Sequence, residues 1–266
     1  MNSLTSDSEA VLRLTIFIIV FLALAILEMI FPRRKLMMSK NRRWFTNIGM
    51  GVFNTVLIRV TIPLAGVGAA LFAQDRNWGL LNLIDAPDWV SIVIFLLLFD
   101  LVIYFQHRVF HFISPLWRLH RMHHTDVDYD VTTGNRFHPA SILISTLIKL
   151  GLIFLMGPLP VAIVAAEVLL NITSMFNHSN IRIPPRLDTL LRYLIVTPDM
   201  HRVHHSVEHK EHNKNFGFNF PWWDRLFGTY LAQPESSHET MEIGIHGFQD
   251  NKSASFIRLL IQPFYK

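Results

Sequence analysis

The sequence predicts an all-α integral membrane protein: a helical transmembrane bundle with a cytoplasmic helical cap that carries a His-rich dinuclear metal site. Three observations predict it. Hydrophobic residues fill 51% of the 266 positions and charged residues only 17%; mean hydropathy is +0.32, and the apolar residues gather in long runs. Cysteine is absent while histidine occurs 14 times. Disulfides, thiolate ligands and cysteine-bound iron–sulfur clusters are thereby excluded, and any metal is bound by imidazole or oxygen. Finally, His-x-x-His-His occurs twice, at His120, His123 and His124 and at His201, His204 and His205, where chance gives roughly 0.04 copies.

The first apolar run, Val11 to Phe31, is long enough to span a bilayer. A signal peptide would start basic and end in small residues; here Asp7 and Glu9 precede the run and bulky residues close it, so a retained helix is expected. Arg33, Arg34, Lys35, Lys40, Arg42 and Arg43 follow, a loop the positive-inside rule keeps cytoplasmic. A second span is expected over Phe45–Phe72, interrupted by Arg59. The stretch Gln74 to Asp88, with three Asp and one Arg, reads as external. A third span runs from Trp89 to about Tyr104 and ends in His107 and His111. Ala140 to Met156 and Pro160 to Met175 flank Gly-Pro-Leu-Pro and read as a helical hairpin.

No Pro-, Gly- or Ser-rich linker divides the chain. The expected organisation is N-terminal helices and loops over 1–88, a catalytic region over 89–231 and a tail over 232–266 packed on the cap. Five crossings put the amino terminus outside and every histidine cluster on the cytoplasmic face. The formal charge of +4 is too small for a nucleic-acid footprint, and the basic residues flank apolar runs, as at a membrane surface.

Residues three and four apart share a helix face. His107 and His111 are spaced i, i+4, and both triplets i, i+3, i+4, so each cluster is expected to aim its imidazoles one way. Eight imidazoles exceed the positions of a single metal and suit two held side by side. His178, at the end of the last apolar arm, faces the same way and is a ninth candidate. His138 is a candidate ligand, a donor to a ligand, or a helix cap. His209 and His212, surrounded by charge, read as solvated, and His238 and His246, near the tail, are not expected to ligate. Asp100, on the helical face that carries Tyr104, His107 and His111, and Asp126, just past the first triplet, are candidates to orient ligating histidines.

These residues resemble the fatty acid hydroxylase superfamily, also called the sterol desaturase family, in its bacterial form. The resemblance rests on His-Arg-Val-Phe-His from His107, His-Arg-Met-His-His from His120 and His-Arg-Val-His-His-Ser from His201. Arg-Phe-His-Pro around His138, Phe-Asn-His-Ser-Asn around His178 and the aromatic stretch from Asn215 to Tyr230 add to it; it covers about Val90 to Leu231. It implies a membrane-bound non-haem di-iron oxygenase with two Fe ions (zinc as a substitute on purification) and O2 as co-substrate. The lipid would come from the bilayer and the electrons from a separate reductase or carrier; the location would be a bacterial inner membrane, with the metals on the cytosolic side. Ligation carries over to His107, His111, His120, His123, His124, His201, His204 and His205, and to His178. Some relatives have another histidine four residues before His178. Here Ser174 stands there, so one metal keeps a water or uses His138. Phe216 to Phe220, with Trp222 and Trp223, are candidates to wall the site, with packing at the membrane interface as the alternative. The expected reaction is lipid hydroxylation. A desaturase, a di-zinc membrane hydrolase and a metal transporter are the alternatives, and imidazole chemistry alone does not separate the first three.

Overall fold

The computed structural model describes residues 6–248 and 255–265. Among them the regular elements are helices: α1 Ser6–Ile30, α2 Lys40–Thr61, α3 Val67–Asp75, α4 Asp88–Phe112, α5 Ser114–His124, α6 Pro139–Met156, α7 Pro160–Asn177, α8 Pro185–Leu191, α9 Pro198–His204, α10 His209–His212, α11 Trp222–Leu226 and α12 Phe256–Ile261. Proline opens many of them: α5, α6, α7, α8 and α9 each carry it in the first turn, where the missing N–H costs nothing. Four helices are long and apolar enough to cross a membrane: α1 from Glu9, α4, α6 and α7.

The two ends of the bundle are identified by their contacts. At one end the Glu28 carboxylate closes α1 by accepting from the amides of Val131 (2.7 Å) and Asn180 (2.6 Å). Toward the other, Arg13 pairs with Glu167 midway along α7, and at that end the hairpin tip meets the segment after α3. A Cβ on Gly79 would lie 2.1 Å from the Gly157 nitrogen, and one on Gly157 would lie 2.0 Å from the Trp78 carbonyl oxygen. Both glycines also have positive φ, 105° and 61°, so this close approach needs glycine twice over. The chain thus passes between the ends five times, and His107, His111, His138 and His178 all come to the end marked by Glu28.

The second pass differs from the expected single span over Phe45–Phe72. It is two helices, α2 and α3, broken between Thr61 and Val67. Pro63 withholds an amide there and Gly66 takes φ 72° with its bare Cα toward Glu167. Helix α2 is also too polar to be a membrane span by composition. Its inward face buries Arg43, Thr46, Asn47 and Asn54, which serve the cap rather than an apolar core.

The apolar core lies between α3, α4, α6 and α7. Phe95, Phe99 and Ile103 of α4 pack with Ile153 and Met156 of α6 and with Ile163 of α7. Ala69, Ala70, Ala162 and Ala166 line the same core; small residues let helices in a bilayer approach closely. Toward the Glu28 end the interior becomes polar. There α5 and α8–α12 form a cap, and α12 with the turn after it closes over α5: Arg121 donates to the carbonyls of Gln262 (2.7 Å) and Tyr265 (2.6 Å). Residues 249–254 and 266 of the expected tail lie outside the described residues.

The basic stretch from Arg33 to Arg43 is part of this cap, not a free loop. Arg33 pairs with Asp199 (3.0 Å) and Glu239. Arg34 donates to the Met241 carbonyl (2.9 Å). Arg43 is wholly buried between Asp126 and Asp130, at 2.7 Å from each.

Candidate metal centre

Three helix ends, one helix exit and the residue capping α9 bring nine histidines together. His107 and His111 lie in the last two turns of α4, and His120, His123 and His124 end α5. His178 follows the last residue of α7; His201 and His204 lie in α9, which His205 caps. The Thr197 side chain starts α9 by accepting from the Met200 amide (3.3 Å), and Pro198 and Asp199 fill its first turn.

The nine sort into two groups. His107, His111, His120, His124 and His204 form the first; His123, His178, His201 and His205 form the second. Within each group the candidate ligand atoms lie within 4.8 Å of one another, and every member is buried. The groups adjoin: the His124 and His205 rings stack at 4.4 Å, and those of His120 and His123 are 5.3 Å apart.

The expectation that each triplet aims one way is therefore corrected. Successive helical residues are rotated by about 100°, so His123 and His124 cannot face one point. The i, i+4 pair His120 and His124 serves the first group and His123 the second. In the other triplet His201 and His205 serve the second group and His204 the first.

Backbone carbonyls set the rings. Nδ1–H donates from His107 to the Phe216 carbonyl (2.9 Å), from His204 to that of Lys214 (2.8 Å) and from His178 to that of Ser174 (2.7 Å). A carbonyl only accepts, so in each ring Nε2 carries the lone pair. The Phe216 carbonyl lies in the aromatic stretch and that of Lys214 directly before it, and side chains hold this segment in place. Asp224 accepts from the amides of Phe216 and Gly217 (2.8 Å each) and from Thr229 (2.6 Å). Asn215, in the left-handed region at φ 53°, binds the carbonyls of Met200 and Leu231 at 2.8 Å. The roles of Asp224 and Asn215 escape a reading of the sequence, because nothing local in the chain marks a carboxylate that folds back on amides seven and eight residues earlier.

The donors fit metal ions. Buried ring nitrogens of His111, His123, His124, His201, His204 and His205 have no hydrogen-bond partner, and such a cluster is costly unless something binds it. Burial, reinforced by neighbouring imidazoles, holds His120, His123, His124, His201, His204 and His205 well below the usual imidazole range. Burial likewise lowers His178 to about 3. All seven are neutral near pH 7, the form that coordinates a metal.

A family model described as fatty acid hydroxylase matches residues 92–229, a little over half of the chain. The chain belongs to the fatty acid hydroxylase family. It is similar to the ornithine lipid hydroxylase OlsE of Rhizobium tropici, 30% identical over 261 residues, which cover 91% of this chain and 72% of that protein. It is also similar to the alkylglycerol monooxygenases of Xenopus tropicalis (27% over 196 residues, 71% of this chain, 41% of that one) and Homo sapiens (28% over 163 residues, 60% and 35%). The chain thus spans less than half the length of those two monooxygenases. No solved structure matches it significantly. Like its relatives, the chain is an enzyme of this hydroxylase family, and its match spans the two histidine triplets and both carboxylates considered next.

Neither carboxylate touches a histidine. Asp100 receives the amides of Asn219 (3.1 Å) and Phe220 (3.3 Å) and the Trp223 indole N–H (2.8 Å), so it anchors the aromatic stretch whose Phe216 carbonyl sets His107. Asp126 is buried rather than solvated. Burial alone would raise it, but Arg43 and Arg136 outweigh that and hold it below the usual carboxylate range. His138 does not join either group. Its Nδ1 accepts from the Ala140 amide (3.1 Å), capping α6, and its Nε2–H donates to the Leu260 carbonyl (3.1 Å). Of the expected aromatic wall, Phe216 meets His107, His111 and His204 at ring distances of 5.5, 5.1 and 5.4 Å. Phe220 and Trp222 stack on each other, and Trp223 is occupied by Asp100. Phe137, which was not expected, stacks on His123 at 4.5 Å.

The histidines outside the groups are not alike. His209 is exposed, and His209→Ala is expected to keep most activity and an unchanged melting temperature. His238 is buried, bonded to Gln233 (3.0 Å) and 3.8 Å from Asp199. His238→Ala should keep the parent's metal content but melt lower, by about 1–3 kcal/mol of stability. Metal loss in His238→Ala, read by elemental analysis, would refute that division.

Proposed function

We propose that the chain is an O2-dependent lipid hydroxylase, with a di-iron centre on the two histidine groups and electrons from an external donor. The observation that carries this reading is the pair of buried groups of five and four imidazoles, six of which have a ring nitrogen with no hydrogen-bond partner. When bound, two redox-active metals supply the O2 activation that attack on an unactivated C–H bond requires. The protein supports that chemistry by holding nine ligands in place, three of them through Nδ1–H bonds to carbonyls. It also excludes water with the buried Phe110, Tyr129 and Phe216 and the half-buried Phe137.

A hydrocarbon route is at hand. An apolar recess of about 290 Å³ lies between α4, α5 and α6, lined by Val102, Phe105, Phe110, Leu116, Ile144 and Ile148 among others. The Phe110 ring separates it from His120, 5.9 Å away. The recess opens on helices able to cross a membrane, so a lipid chain can enter from the bilayer without crossing water. The similarity to an ornithine lipid hydroxylase makes a polar amino lipid the first substrate to try.

Expression in a host that makes such lipids should yield products heavier by one oxygen, derived from isotope-labelled O2. The purified active protein should hold close to two equivalents of iron. Products formed without O2 would favour the di-zinc hydrolase, a new double bond would favour the desaturase, and one equivalent of metal in fully active protein would sink the dinuclear reading. Zinc after overexpression decides nothing, since imidazole accepts it readily.

The proposed orientation has the metal centre on the cytoplasmic side, where reducing carriers are found; the basic residues from Arg33 to Arg43 at the same end support it. The chain has no native cysteine, which suits single-cysteine labelling. Ser39→Cys and Ser237→Cys should be shielded from an impermeant reagent in intact cells, and Asn77→Cys should react; all three positions are exposed on the protein. Labelling of Ser237→Cys from outside would reverse the orientation.

A further inference from the structure

A hydroxylation that uses O2 must also take up two electrons and two protons, so that the substrate C–H becomes C–OH and the second oxygen leaves as water. The proposed function therefore requires a path for electrons into a site closed to solvent. Of the aromatic rings against the histidine groups, Phe110, Tyr129 and Phe216 are shut in; Phe137 is half-buried, as is Phe218, which lies 6.4 Å from the His107 and His201 rings. Trp117 is different. This half-buried residue of α5 lies with its ring 4.8 Å from that of His111 and 5.4 Å from that of His124, both in the first group. On its outer side it stacks on His212, with centroids 5.5 Å apart and planes 10° from parallel. His212 is half-buried on the short helix α10, beside the exposed His209 and Lys210. His212 belongs to neither histidine group.

We propose that Trp117 and His212 form the electron entry port: a one-electron carrier protein docks over α10 and delivers electrons through the His212 and Trp117 rings to the His111 and His124 group. This rests on the di-iron reading above. Each delivery oxidises the carrier by one electron and reduces one metal by one, and two deliveries complete the two-electron requirement of a turnover. Direct ring contacts replace through-space gaps along this line, from the surface at His212 to two ligands of one metal. The port meets the first group, so the metal held there is the one reduced first. A mere packing role for Trp117 would place it against the same histidines, and the test must separate the two.

The missing cysteines make that test possible without knowing the natural carrier. In the iron-loaded enzyme, Lys210→Cys takes a single ruthenium photosensitiser two residues from His212, and a flash with a sacrificial donor injects one electron. The reduction rate of the metal centre is followed optically, without O2 or substrate. Replacing Trp117 by Leu, or His212 by Ala, in this labelled background should slow flash reduction by roughly tenfold or more, and Trp117→Phe should fall between. Reduction by the small diffusible reductant dithionite and the iron content should stay unchanged. Equal flash rates in the Leu variant and the parent, with iron retained, would overturn the port and leave the hydroxylase reading intact. Loss of iron in both Trp117 variants would make the ring a support for the ligands and equally overturn it. A parent centre that dithionite cannot reduce would overturn the di-iron reading and the port together.

Discussion

His204→Ala and His123→Ala are each expected to lower lipid hydroxylation by more than about a hundredfold, because loss of a ligand costs more than loss of the groups that orient ligands. The two variants probe different groups. His204 is one of five members of the first group, and His123 one of four in the second. Removing His123 leaves three imidazoles, so His123→Ala should lose its metal more readily than His204→Ala, which retains four. Both chains should still reach the membrane fraction, because insertion depends on the apolar lengths of α1, α4, α6 and α7 rather than on ligands. Product detection by mass spectrometry, elemental analysis and immunoblotting of membranes read the three parts separately. A variant with most of its activity at normal expression would remove that histidine from the ligand set.

The largest loss of stability is expected from Arg43→Ala. The guanidinium is wholly buried and forks to Asp126 through Nε and Nη2 (2.7 and 2.9 Å) while Nη1 reaches Asp130 (2.7 Å). The same two carboxylates receive Asn47 and Thr133 at Asp126, and Trp44 and Thr132 at Asp130. Without the arginine, two carboxylates remain buried and close together, which costs about 3–5 kcal/mol. Arg43→Lys keeps the charge but not the fork and should fall between the parent and the alanine variant. Thermal unfolding in detergent reads the order. An unchanged midpoint in Arg43→Ala would mean that solvent reaches these carboxylates. Because Asp126 lies two residues past His124, some loss of metal should accompany the loss of stability.

The helices were legible wherever composition decides structure. The apolar runs of α1, α4, α6 and α7 are long enough to satisfy their own backbone in lipid, and Gly157-Pro-Leu-Pro leaves the hairpin one place to turn. The metal-binding character was legible for a similar reason: two improbable triplets without any cysteine leave few other uses for so many imidazoles. The second pass was misread as one span because Phe45–Phe72 averages apolar residues with a polar face; Asn47 and Asn54 look out of place in lipid until Asp126 and the Phe137 carbonyl (2.8 Å from Asn54) are seen to occupy them. Likewise, Arg33 and Arg43 count as loop charges in a linear reading and are cap ion pairs in the folded chain.

The sequence by itself determined that this is a helical membrane protein with histidines enough for two metals, because helix length, hydropathy and residue inventory are local or additive properties. Tertiary structure alone decided which histidine joins which group. Adjacent ring directions on a helix differ by about 100°, and only the packing of α4, α5, α7 and α9 against one another determines where those directions meet. It also turned His138 into a cap and Asp100 into the anchor of the aromatic stretch, since a buried polar atom takes the partner that the fold brings within about 3 Å, however far away that partner lies in the chain.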